Sequence, residues 1–228
     1  MPEGENNIRM LWNSQILDCS SMFKGLDNII EVDLSKFDSS KVTLMTEMFA
    51  DCTNIHSIIF DDIETSSVTD MPNLFRNCES LISIDLSRIN TKSLRNMVEI
   101  FYNCKSLISV DLSNFNTSLV TSMAFAFSNC NSIKTIDLSS FNTKNVVMMM
   151  NMFENCYELI SLDISNFDTT NLYSMEYMLN NCYKLSYINL SNMQLSSVYD
   201  ARYFLTNCIN LEFIDFTNFR ESSNFIKD

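Results

Sequence analysis

The chain has 228 residues, 46% of them hydrophobic, with only two glycines and two prolines. That is enough apolar material for a continuous core and too little Gly and Pro for a flexible linker or a disordered chain. A net charge of −13 argues against nucleic acid and anionic membrane surfaces as partners, since both attract basic patches. The acidity then serves solubility, a basic protein or a divalent cation.

Residues 1–15 read as a lead-in and cap, with Leu11 and Trp12 placed to cover the open end of whatever follows. They contain no basic stretch followed by an apolar one, so no secretory signal is read there. No apolar run in the chain approaches the roughly 20 residues that span a bilayer.

From residue 16 to residue 219 one unit repeats. Cysteine recurs at Cys52, Cys78, Cys104, Cys130, Cys156, Cys182 and Cys208, always 26 residues apart. A fixed period of that length is the signature of a solenoid, in which each unit packs on its neighbours alone. The first copy has Leu26 at the cysteine position, and Cys19 falls instead at the position of Met45, Met71 and Met97. Eight copies align in all.

Within the unit that begins at Cys78 the hydrophobic period changes. Leu81, Ile84 and Leu86 fit a short strand with Ser83, Asp85 and Ser87 facing out. Asn90 and Thr91 offer a turn and an N-cap. Leu94, Met97, Phe101 and Cys104 then follow at spacings of three, four and three, which predicts one face of a short helix. The residue before each cysteine is Gly25, Asp51, Asn77, Asn103, Asn129, Asn155, Asn181 or Asn207. These types tolerate the left-handed conformation, so a positive φ at a helix C-terminus is expected, with a side-chain asparagine ladder as the other reading. Residues 220–228 form a tail too short for another unit.

The expected fold is therefore an α/β solenoid: a leucine-rich-repeat right-handed coil of about eight 26-residue strand–helix units. A parallel β-sheet would line one face and short helices the other. At the position where such repeats usually carry Asn or Cys, this chain has Phe37, Ile63, Ile89, Phe115, Phe141, Phe167, Met193 and Phe219. The segments running from Leu107 to Thr117 and from Met149 to Cys156 resemble the BspA-like leucine-rich-repeat surface proteins. The resemblance covers about residues 16–219 and implies a surface or adhesion-type binding scaffold at the cell surface, with no ligand named.

Three constellations are candidates for chemistry. The cysteines lack the C-x-x-C pairs of zinc sites, and neighbours about 5 Å apart would have parallel Cβ vectors that suit a disulfide poorly. They read as buried structural thiols, which fits a reducing compartment or an anaerobic niche. A row of aspartates, among them Asp85, Asp111, Asp137 and Asp163, shares one outward strand position. It reads as a solvated, self-bonded face, a groove for a basic protein, or a calcium strip. Tyr173, Tyr177, Tyr199 and Tyr203 form two i,i+4 pairs in adjacent repeats and would make an exposed aromatic patch, with Tyr187 and Phe213 nearby on the strand face. Ordinary surface variation or lateral ladder packing is the plainer reading of these tyrosines.

His56 is the only histidine, and two glycines cannot build a phosphate loop. No catalytic, cofactor-binding or metal residue is expected, and the chain reads as a non-enzymatic protein-binding scaffold. The alternatives are a structural element that self-associates through its C-terminal end and a calcium-stabilised adhesin.

Overall fold

The computed structural model describes residues 15–61 and 63–220. The lead-in with its Leu11 and Trp12 cap, and all of the tail after Arg220, lie outside the described residues.

The chain winds as a parallel β-solenoid whose rungs repeat every 26 residues. Seven of the eight coils carry a three-residue strand: β1 (Glu31–Asp33), β2 (Ser57–Ile59), β3 (Ser83–Asp85), β4 (Ser109–Asp111), β5 (Ser161–Asp163), β6 (Tyr187–Asn189) and β7 (Phe213–Asp215). All pairings are parallel, and each residue meets its counterpart one repeat on, as Ser83 meets Ser109 and Asp85 meets Asp111. The hydrogen-bonded groups are β1-β2, β3-β4 and β5-β6-β7. Residues 135–137, which stand at the strand position between β4 and β5, are not strand, although Ile160 N–H still donates to Lys134 O at 2.9 Å across the gap. A second ladder of single bridges runs from Asp18 through Leu44, Asp70, Asn96, Ser122, Met148 and Ser174 to Asp200. Those eight rungs enclose seven turns, so the eight units read from the sequence wind as about seven full turns.

No segment of the described residues is helical, which corrects the expected helix face. The stretch from Met97 to Cys104 shows why. Ile100, Tyr102 and Cys104 donate their N–H groups three residues back, to Met97, Glu99 and Phe101. Glu99, Phe101 and Asn103 donate outward instead, to Ala124, Ala126 and Ser128 of the next coil, at 2.8 to 3.0 Å. A helix would need every N–H directed four residues back along its own axis. Here alternate donors are spent on the neighbouring coil. At least two residues with positive φ also interrupt right-handed winding in each coil, such as Glu99 at 56° and Asn103 at 62°. The three–four–three spacing survives because successive turns still aim Leu94, Met97, Phe101 and Cys104 inward, where all four are fully buried.

Both readings of the asparagine position hold. Its φ lies between 59° and 63° from Asp51 to Asn207, with Gly25 at 71°. Its amides also chain across coils: Asn103 Nδ2 donates to Asn77 Oδ1 at 2.8 Å and Asn155 Nδ2 to Asn129 Oδ1 at 2.8 Å.

The core is a bundle of columns, one for each inward position. Phe23, Phe49, Phe75, Phe101, Phe127 and Phe153 stack with centroids 5.1 to 5.9 Å apart. Beside them each cysteine thiol from Cys52 to Cys182 donates to a phenylalanine carbonyl of the preceding coil, as Cys104 Sγ does to Phe75 O at 3.1 Å. A buried hydroxyl column joins these apolar ones. Thr117 Oγ1 accepts from Asn142 N at 2.8 Å and donates to Asn142 O at 2.9 Å, and Thr65 and Thr169 do the same for their next coils. Thr91 is thus an inward staple and not the expected N-cap.

Candidate functional site

The aspartate row is built into the corner that ends each strand. Asp85 Oδ1 accepts the backbone N–H of Ser87 at 2.8 Å. Asp33, Asp111, Asp137, Asp163 and Asp215 make the same bond to the residue two positions on, at 2.8 to 2.9 Å. This local turn is what Asp and Asn side chains do when they fold back on their own backbone. The bonds favour the ionised form, so Ser87 and Ser139 hold Asp85 and Asp137 below the usual carboxylate range. Partial burial of Asp163 opposes the same effect, and its Ser165 bonds prevail. Asn189 occupies the position equally well, accepting from Ser191 N at 3.0 Å while its amide donates toward the Asp163 carboxylate. Turn geometry is therefore a complete reason for this residue type. The outward carboxylate oxygens remain on an open depression of about 610 Å³ over β3 and β4, lined by Ser83, Asp85, Ser109, Asp111 and Asp137. Among the described residues no group of three or more His, Cys, Asp or Glu side chains is placed to hold a metal ion.

The tyrosines are arranged by the coil and not by a helix. Their rings pair one repeat apart: Tyr173 on Tyr199 at 5.3 Å and Tyr177 on Tyr203 at 4.6 Å, all within 15° of parallel. The i,i+4 relation noted in the sequence sets Tyr173 and Tyr177 on either flank of a corner, the bridge residue Ser174 between them. Tyr199 is 80% exposed, Tyr203 51% and Tyr173 46%. Tyr187 of β6 stacks on Phe213 of β7 at 5.6 Å. A further stacked pair, Tyr157 on Tyr183 at 5.2 Å, was not singled out from the sequence, although its 26-residue separation is the signal that finds it. All four pairs lie between residues 157 and 213.

The corner between the two tyrosine columns is charged. Arg202 Nη2 reaches Glu176 Oε1 at 2.9 Å and Asp200 Oδ2 at 2.8 Å. Among the described residues Glu154 of the coil below is held by two amides, from Asn151 at 2.7 Å and Asn180 at 3.1 Å.

The eight cysteines are free thiols, seven of them buried. Burial pushes Cys104 and Cys130 well above the ordinary thiol range, so neither supplies a thiolate nucleophile at neutral pH. His56 is exposed and bonds through Nδ1 to Asn54 O at 2.7 Å.

No curated protein matches this chain. Among solved structures it is similar to a leucine-rich cell surface protein from Faecalibacterium prausnitzii, at 14% identity and a TM-score of 0.33, over 86% of this chain and 75% of that one. It is also similar to a leucine-rich-repeat protein from Bacteroides ovatus, at 13% identity and a TM-score of 0.34, over 88% of this chain and 64% of that one. The corresponding figures for an internalin from Listeria monocytogenes are 12%, 0.32, 85% and 75%. A family model described as "Mycoplasma protein of unknown function, DUF285" matches residues 17–135 and again 107–219, which together take in nearly every described coil, and the chain belongs to that family.

Proposed function

We propose that this protein is a non-catalytic, protein-binding scaffold of the BspA-like, leucine-rich-repeat surface kind, and that it binds through the tyrosine columns of its last three coils. The observation that carries this is the confinement of four stacked, outward aromatic pairs to residues 157–213. Tyrosine gives contact area and a hydroxyl at little cost in side-chain entropy, and stacking one ring on the next orders it before a partner arrives. The acidic strand face is the secondary contact, suited to basic side chains. Among the described residues the turns are regular and seven of the eight thiols are buried, which favours a non-catalytic role. No described helix is long and apolar enough to cross a membrane.

The test replaces Tyr173 and Tyr199 by Thr, and Tyr177 and Tyr203 by Asn, residues that already stand at those positions as Thr43, Thr69, Asn73 and Asn151. Wild type and variant are each immobilised and probed with an array of purified extracellular proteins. Saturable binding that the variant loses supports the reading. No saturable binding, or equal binding by the variant, overturns it.

A further inference from the structure

The identity of the side chains that would settle on the tyrosine columns can be argued from the molecule itself, on the footing that those columns bind protein. The coil already contains one aromatic–cation arrangement of this kind. Arg76 lies with its guanidinium carbon 5.6 Å from the ring centre of Tyr102, one repeat on at the same position. Its Nε is 3.6 Å from Glu99 Oε2. A ring and a carboxylate, set on the turn-rich side of the coil, thus hold a guanidinium between them.

The last coils carry the rings and carboxylates in surplus over cations. Tyr177 and Tyr203 stand at the position of Glu99, and Glu154 stands at the position of Arg76 and Tyr102. Arg202 meets Glu176 and Asp200, two carboxylates against one guanidinium, and the carboxylate of Glu154 lies near Tyr177 with amides as its partners. Arg202 is consumed by Glu176 and Asp200. Among the described residues, Tyr199 and Tyr203 are each stacked by a ring on one side only. Tyr199 and Tyr203 remain 80% and 51% exposed, so among the described residues the corner presents open aromatic surface beside net negative charge, on a chain of charge −13.

We propose that the partner seated on the Tyr173/Tyr199 and Tyr177/Tyr203 columns presents an arginine-rich segment, its guanidinium groups laid on the ring faces and paired with Glu154 and its neighbours. Arginine fits better than lysine because its planar, weakly hydrated fork stacks on a ring and meets a carboxylate with two donors at once. An apolar peptide would bury Glu154 without a cation. A neutral saccharide would use the rings and leave the charge unanswered.

The test uses fluorescein-labelled nona-arginine and nona-lysine, titrated with the full chain by anisotropy at about 0.15 M salt, where long-range attraction is screened. Nona-arginine is expected to bind at least about fivefold more tightly than nona-lysine. The four-tyrosine variant described above is expected to lose about tenfold for nona-arginine and to bring the two peptides within about twofold of each other. Glu154→Gln should weaken nona-arginine about twofold with the rings in place. Equal affinity for the two peptides in wild type, or an arginine preference that survives loss of the rings, overturns the proposal and leaves only general attraction to an acidic protein. Should the fourfold variant melt early, Tyr199→Thr alone makes the same comparison, since that side chain is 80% exposed. A protein ligand lost by the tyrosine variant while both peptides bind alike would remove the arginine assignment and leave protein recognition standing.

Discussion

Where the N-terminal half sets Glu47 and Glu99 against Lys24 and Arg76, the C-terminal half stacks Tyr177 on Tyr203. Where it pairs Glu79 with Lys105, the C-terminal half stacks Tyr157 on Tyr183. The backbone beneath is the same: φ is 54° at Glu47, 56° at Glu99, 54° at Tyr177 and 59° at Tyr203. Exposed ion pairs contribute little, typically up to about 1 kcal/mol, so exchanging them for rings leaves the coil intact. The two halves show that the inward columns and the inter-coil hydrogen bonds carry the fold, while the outward positions are free to carry recognition.

The strongest challenge to that division is an inward aromatic. Phe127→Ala empties a fully buried place between Phe101 and Phe153 and should cost about 3 to 5 kcal/mol in denaturant unfolding. Tyr199→Thr should move the same measurement by less than about 0.5 kcal/mol. Comparable losses would break the distinction between inner and outer rings.

Next in size is the hydroxyl column. Thr117→Val leaves the N–H and C=O of Asn142 without their partner and should cost about 1 to 3 kcal/mol, although valine is the more hydrophobic. A neutral result would mean that water replaces the hydroxyl between coils.

The asparagine position separates backbone from side chain. Asn129→Gly and Asn129→Ala both lose the bond from Asn155. Only alanine must also be forced to a φ of 62°, so it should be the worse by about 1 kcal/mol in thermal melts. Equal losses would assign the position to its amide ladder alone.

Acid tests the strand face. Asp85 and Asp137 are held below the usual carboxylate range by bonds made only in the folded chain. Their contribution is thus complete above the unfolded value of about 3.9 and lost as pH falls through the lower folded value. Asp85→Asn should keep its Ser87 bond, as Asn189 keeps the one to Ser191, and should flatten the stability decline below about pH 4. An undiminished decline would place the acid sensitivity elsewhere. The smallest expected effect is that of a chelator: the melting midpoint should stay within about one degree, and a clear fall would return the calcium strip to consideration.

The repeat period, the inward columns and the positive φ before each cysteine were all legible from the sequence. Each depends on one residue type recurring at a fixed interval. The helix was misread because spacings of three and four mark any backbone that turns inward at that rate, and the sequence does not reveal where Glu99, Phe101 and Asn103 send their N–H groups. The second positive-φ position was hidden because Ser21, Glu47, Asn73, Phe125 and Tyr177 share no chemistry. At the candidate site the tyrosines were visible as residues, and the lateral ladder packing read as the plainer alternative is what pairs Tyr173 with Tyr199 and Tyr177 with Tyr203, whereas the i,i+4 helical patch is not formed. The aspartates were visible as a self-bonded row, but that the backbone N–H of Ser87 and its counterparts donates to them was not.

The outward N–H groups of Glu99, Phe101 and Asn103 have one more consequence. They require of the next coil only carbonyls at the matching places, and every coil supplies them. A duplicated 26-residue segment, inserted in frame between any two coils, would find all its donors and acceptors waiting and would displace nothing. Length in such a molecule is therefore open to change by gene duplication without a new folding problem, so the reach between its two chemically different ends can be reset while both are kept.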